Sequence, residues 1–131
     1  MPAVSVGLST ANIANPNLNW LRGVAPPSIA GLYLKLHVGD PGAAGTTNAS
    51  AVTTRRQATM NAAASGQITL SAMSGNYSMT ATETISHFSV WDDPTAGNFL
   101  FSGQWTVSRN VINGDTIVVQ TFIVNNTPLA A

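Results

Sequence analysis

From Gly31 onward the chain repeats one pattern: apolar and polar residues alternate, then a turn signal stops them. In LYLKLHV, Leu32, Leu34 and Leu36 point one way and Tyr33, Lys35 and His37 the other, the period of a strand with one buried face. AVTTRRQATM sets Val52, Thr54 and Arg56 against Thr53, Arg55 and Gln57. QITLSAM and NYSMTAT read as short strands joined through Ser74-Gly75. ISHFSVW alternates Phe88 and Val90 against His87, Ser89 and Trp91, then stops at Asp92-Asp93-Pro94. NFLFSGQWTV is a further strand, with a bulge or bend expected at Gly103. Asn113-Gly114 is a strong hairpin signal. The strand after it is apolar on nearly both faces (Ile117, Val119 and Ile123 against Val118, Phe122 and Val124), so it is expected to be central and covered twice. Short strands at this spacing predict an all-β fold: one antiparallel β-sandwich or barrel-like domain over residues 28–131.

Residues 1–27 break the alternation and predict an N-terminal arm with a short helix. Residues 1–14 are small and mildly polar and read as extended. In ANPNLNWLRGVAPPS, Asn15 suits an N-cap, Pro16 the first helical position and Gly23 the far end. The resulting helix presents Leu18 and Leu21 on one side with Trp20 beside them. At about two turns it is too short to stand alone in water and must dock on something. Pro26-Pro27 then forbids helix and feeds an extended segment.

Charge narrows the function classes. Only 8% of the 131 residues are charged and the formal net charge is zero, against about 25% charged in ordinary soluble domains. Such a chain has little field with which to hold nucleic acid or an anionic membrane. It also lacks the repulsion that keeps copies apart, which points to work inside an assembly and to a homo-oligomer. There are no cysteines, so neither disulfides nor thiolate chemistry is available. MPAVSVGLSTANIANPN shows no basic n-region or apolar core of a secretion signal, and the expectation is a protein made in the cytoplasm and kept there until packaged.

No stretch assembles a catalytic, cofactor or metal site. GDPGAAGTT follows a strand as a phosphate-binding loop would, but it has no lysine, leads to another strand rather than a helix, and carries Asp40, which repels phosphate. Asp-Pro-Gly is turn chemistry. His37 and His87 read as half-exposed sheet residues; a metal would need their strands to be neighbours with a carboxylate nearby. Ser89, His87 and Asp92 lie too close along one strand end to converge as a triad. Asp92 and Asp93 point to opposite faces and serve better as a strand terminator. Arg55 and Arg56 are too few for a nucleic-acid footprint and are expected to pair with acids within the sheet or across an interface. Trp20, Trp91 and Trp105 suit a core or a protein contact, the alternative being sugar stacking on Trp91 or Trp105 in a glycan-binding adhesin.

Taken in order, WLRGVAPPS, LYLKLHVGDPGAAGTTNAS, AVTTRRQATM, ETISHFSVWDDPTAGNFLFSGQW and GDTIVV resemble the motifs of a family of small virion proteins from tailed phages, especially phages of actinobacteria. The resemblance spans roughly residues 17–124 and departs at Asp92-Asp93, where the family usually has small residues. It implies a non-enzymatic structural protein of the virion, made in the host cytoplasm, known variously as a head decoration, minor tail or tail-fibre protein. The first expectation is a capsid decoration protein that binds the major capsid protein and stabilises the head. The alternatives are a minor tail or tail-fibre protein bound to tail proteins, and the glycan-binding module. Partner contact is expected through Leu18, Trp20, Leu21 and Arg22 on the arm, with Arg55 and Arg56 on the sheet.

Overall fold

The alternating segments become strands wherever they can bury one face. In the computed structural model, which describes residues 6–126, 129 and 130, β1 (Leu32–His37), β2 (Arg56–Met60), β3 (Gln67–Met73), β5 (Glu83–Trp91), β6 (Phe99–Val111) and β8 (Ile123–Asn125) form a curled antiparallel sheet in the order β6-β5-β1-β2-β3-β8. A second, two-stranded sheet pairs β4 (Tyr77–Ser78) with β7 (Thr116–Ile117).

The central pair sets the core. Leu34 lies opposite Val90 and Leu36 opposite Phe88, and all four are buried together with Ile85, Val111 and Phe122. Burial of each such side chain stabilises by about 1.5–3 kcal/mol. The small sheet closes the open side, and Tyr77 ties it across the core by donating its hydroxyl to the Leu34 carbonyl at 2.6 Å. Burial pushes the phenol up, so it stays a donor.

The other face of β1 and β5 carries a second buried layer. The loop after β1 folds back over His37 and Phe99, beside Ser89 and Trp91. Asp40 Oδ1 accepts from Gly42 N at 2.9 Å and Pro41 O accepts from Thr47 N at 2.9 Å, which makes the segment a closed turn. Gly45 (φ +73°) lies so near Phe99 that a Cβ would come within 2.3 Å of the ring, so only glycine fits there. Asp92 and Asp93 build the next turn: their carboxylates accept from the backbone N–H of Asn98 at 2.7 Å and of Ala96 at 2.7 Å.

Several expectations are corrected. His37 is completely buried, not half-exposed, because the turn covers its face. Gly103 makes no break: it pairs with Phe88, and a Cβ there would meet the Phe88 ring at 2.5 Å. Its role is close approach. The Asn113-Gly114 turn forms, with Gly114 at φ +97° and Asp115 N donating to Ile112 O at 3.1 Å, but no hairpin follows. β6 stays with β5 and β7 leaves to pair with β4. The apolar strand expected to be central is therefore split into two short pieces, β7 and the edge strand β8. It is not covered on both sides, with Val118 52% and Ile123 49% exposed.

The N-terminal segment also differs. Met1 to Ser5 of the expected arm lie outside the described residues. Gly7 to Ser9 run along β6 through an antiparallel Leu8–Phe101 bridge, with Ser9 N donating to Leu100 O at 2.7 Å. Thr10–Ala14 is a π-helical turn rather than extended chain, and it continues into α1 (Asn15–Leu21). The cap is Ser9, whose Oγ accepts from Asn12 N at 3.2 Å, and not Asn15, which is already helical. Gly23 does close the helix, at φ +91°, with Gly23 N donating to Trp20 O and Val24 N to Asn19 O.

Candidate functional site

A seven-residue helix is normally held to its domain by its apolar side. Here α1 is turned over. Its half-buried residues include Pro16 and Asn19, while Leu18, Trp20 and Leu21 are 62%, 65% and 78% exposed. The helix is held from its N-terminal end instead. Asn12 Nδ2 donates to Phe99 O at 2.8 Å and Ile13 packs against the core. The apolar exposure continues past the helix through Val24 and Ile29, around Pro26 and Pro27, with residues 21–30 all exposed.

Three of the expected contact residues, Leu18, Trp20 and Leu21, are thus exposed on α1, Leu18 and Leu21 on one side and Trp20 on its flank. Arg22 sits at its end, with Nη1 3.3 Å from Asn19 Oδ1. Arg55 and Arg56 lie elsewhere and are engaged within the fold. Arg55 Nη1 donates to the carbonyls of Asp93 at 2.8 Å and Ala96 at 2.7 Å while its guanidinium lies 4.2 Å over the Trp91 ring. Arg56 Nε donates to Asn76 O at 3.1 Å. Both bind backbone carbonyls where carboxylate partners were expected.

The chemical candidates also find structural partners. His37 and His87 face each other across β1 and β5, yet His37 is bonded to Thr47 O and Ser89 Oγ, and His87 Nδ1 to Ser86 Oγ at 2.7 Å. Among the described residues no three His, Asp or Glu side chains gather as a metal site. Trp91 is buried, its indole N–H donating to Ser89 Oγ at 2.8 Å and its face covered by Arg55, so it offers no platform to a sugar. Trp105 is half-buried against Phe88.

Residues 7–126 match the family model of podophage GP4 fiber I protein gp80. The chain belongs to this family. A search of curated proteins returned no match. The gp80 match begins where Gly7 joins β6 and runs through β8, so it takes in the helix and the whole sheet. A phage virion protein is the class to which it assigns the chain. Among the described residues no helix is long and apolar enough to cross a membrane.

Sequence reasoning passed over Val24 and Ile29 as part of the surface. The signal was present: apolar residues flanking Pro26-Pro27 can join neither a helix nor a central ladder, and so they stay available.

Proposed function

We propose that this chain is a non-enzymatic component of a podophage tail fibre, mounted on a neighbouring tail protein through the outward face of α1 and the segment behind it. The observation that carries the proposal is the exposure of Leu18, Trp20 and Leu21 on a helix that is itself pinned to β6. Pinning matters energetically, because a helix already ordered loses little entropy on docking and keeps more of the gain from apolar burial. Trp20 has the size and shape of an interface anchor. The absence of net charge leaves nothing to repel a second copy, and fits assembly as a homo-oligomer.

The same outward face would serve a capsid decoration protein, the location first expected from the sequence. The family description names a podophage fibre, and this favours the tail over the head and gives no weight to an actinobacterial host. Immunogold electron microscopy of intact particles, with antibody against the purified domain, tests the proposal. Labelling confined to the tail is the expected result. Regular labelling over the head would overturn the fibre reading in favour of decoration.

A further inference from the structure

The failed hairpin leaves a space that nothing in the fold fills. Past Asn113-Gly114 the two arms diverge, and between them opens a groove of about 480 Å³ lined by Trp105, Val107, Arg109, Val119, Gln120 and Thr121 among others. Ligand clefts typically span roughly 300–1,000 Å³. A second irregularity shapes one wall. Ile85 pairs with Arg109 but His87 with Gln104, so residues 105–108 of β6 stand against the single Ser86 of β5 and the ladder is irregular there.

The groups turned to this groove are unused. Trp105 is fixed by Phe88, ring centroids 4.6 Å apart and tilted by 44°, yet its indole N–H bonds to no described residue, and neither do the side chains of Gln120 and Thr121. Arg109 differs in the same way from the other arginines. Arg22, Arg55 and Arg56 each donate a hydrogen bond inside the fold, whereas the Arg109 guanidinium has no partner among the described residues. No carboxylate lines the groove.

We infer that this groove binds an oligosaccharide carrying an acidic group. A pyranose ring has an apolar C–H face that matches a rigid indole, and hydroxyls around its rim that match planar amide and hydroxyl groups. Arg109 supplies a fork-shaped cation for a carboxylate or phosphate on the sugar. The inference rests on the groove alone and holds wherever on the particle the chain is mounted.

The test screens the purified chain against an array of uronate-, sialate- and phosphate-bearing oligosaccharides beside neutral ones, then titrates the strongest acidic binder into ¹⁵N-labelled protein. Saturable binding to acidic sugars is expected, with shifts at the Trp105 indole N–H and the amides of 116–121. Arg109→Gln, at an exposed position that leaves the core intact, should weaken binding by about tenfold or more, and Trp105→Ala should abolish it. Because Trp105→Ala also removes packing from Phe88, Gln120→Ala is the second variant, expected to weaken binding while the remaining spectrum is unchanged. No saturable binding to any acidic sugar, or binding that Arg109→Gln and Gln120→Ala leave untouched, would overturn the inference. So would groove shifts produced only by extended peptides, which would make the free backbone of 118–121 a strand-docking edge instead.

Discussion

The imidazole of His37 and the hydroxyl of Ser89 meet across β1 and β5, with Nε2 2.7 Å from Oγ, and their directions can be assigned. Nδ1 lies 2.8 Å from the Thr47 carbonyl, which only accepts. The proton therefore sits on Nδ1, Nε2 accepts from Ser89, and the Ser89 oxygen in turn accepts from Trp91 Nε1 at 2.8 Å. One neutral histidine thus locks the turn over β1 to the strand beside it, with every buried polar atom in use.

Protonation would break this chain, because a second N–H on His37 has no acceptor until Ser89 reorients. Burial is the main cause holding the His37 pKa below its ordinary value, with the charge of Lys35 acting the same way and the Thr47 carbonyl opposing. The folded state then resists a proton that the unfolded chain accepts near pH 6.5. The His37 contribution to stability is complete above that value and is lost progressively as the pH falls below it, toward the lower folded pKa. Urea midpoints from pH 8 to 5 should show the advantage of wild type over His37→Gln shrinking as acid is added. An advantage independent of pH would contradict the assignment.

Arg55 joins the Asp92–Asn98 turn to the sheet. Its planar group reaches two carbonyls while stacking on Trp91, and a lysine cannot do both. Arg55→Lys should cost about 1–2 kcal/mol, read as a lowered denaturant midpoint with an unchanged slope. An unchanged midpoint would mean that the two carbonyls are equally well served by water.

Gly103 is required by the Phe88 ring and not by its backbone angles, since a Cβ would lie 2.5 Å from that ring. Gly103→Val should destabilise by about 1–3 kcal/mol. Trimming the ring in a Gly103→Val, Phe88→Leu double variant should cost less than the two single changes summed, as expected of residues in contact. Additive losses in a double-mutant cycle would place the strain elsewhere.

Much of the sheet is legible in the sequence because Leu34, Leu36, Phe88 and Val90 alternate cleanly and each strand ends at a turn residue. The turn at Asn113-Gly114 is legible for the same reason. Its outcome is not, because whether arms pair with each other or with Tyr77–Ser78 depends on contacts far away in the chain. The burial of His37 was hidden likewise: nothing local shows that residues 41–47 fold back over it. The outward face of α1 is half legible. The spacing of Leu18 and Leu21 defines an apolar side, but only the anchoring of Asn12 and Ile13 reveals that this side faces water. Arg109 carries no local signal at all, since its freedom follows from the divergence of β6 and β7.

Attachment through α1 is best tested by point changes, because removing the whole segment would also strip Gly7 to Ser9 from β6. Phage lacking this chain would be complemented with wild type or with Leu18→Ser, Trp20→Ser, Leu21→Ser, and the protein counted per purified particle. All three residues are more than half exposed, so the variant should melt with the wild type. It should nevertheless be missing from particles, or present at a small fraction of the wild-type copy number. A folded variant that fills virions to the wild-type level would show that the outward face of α1 is not the attachment surface.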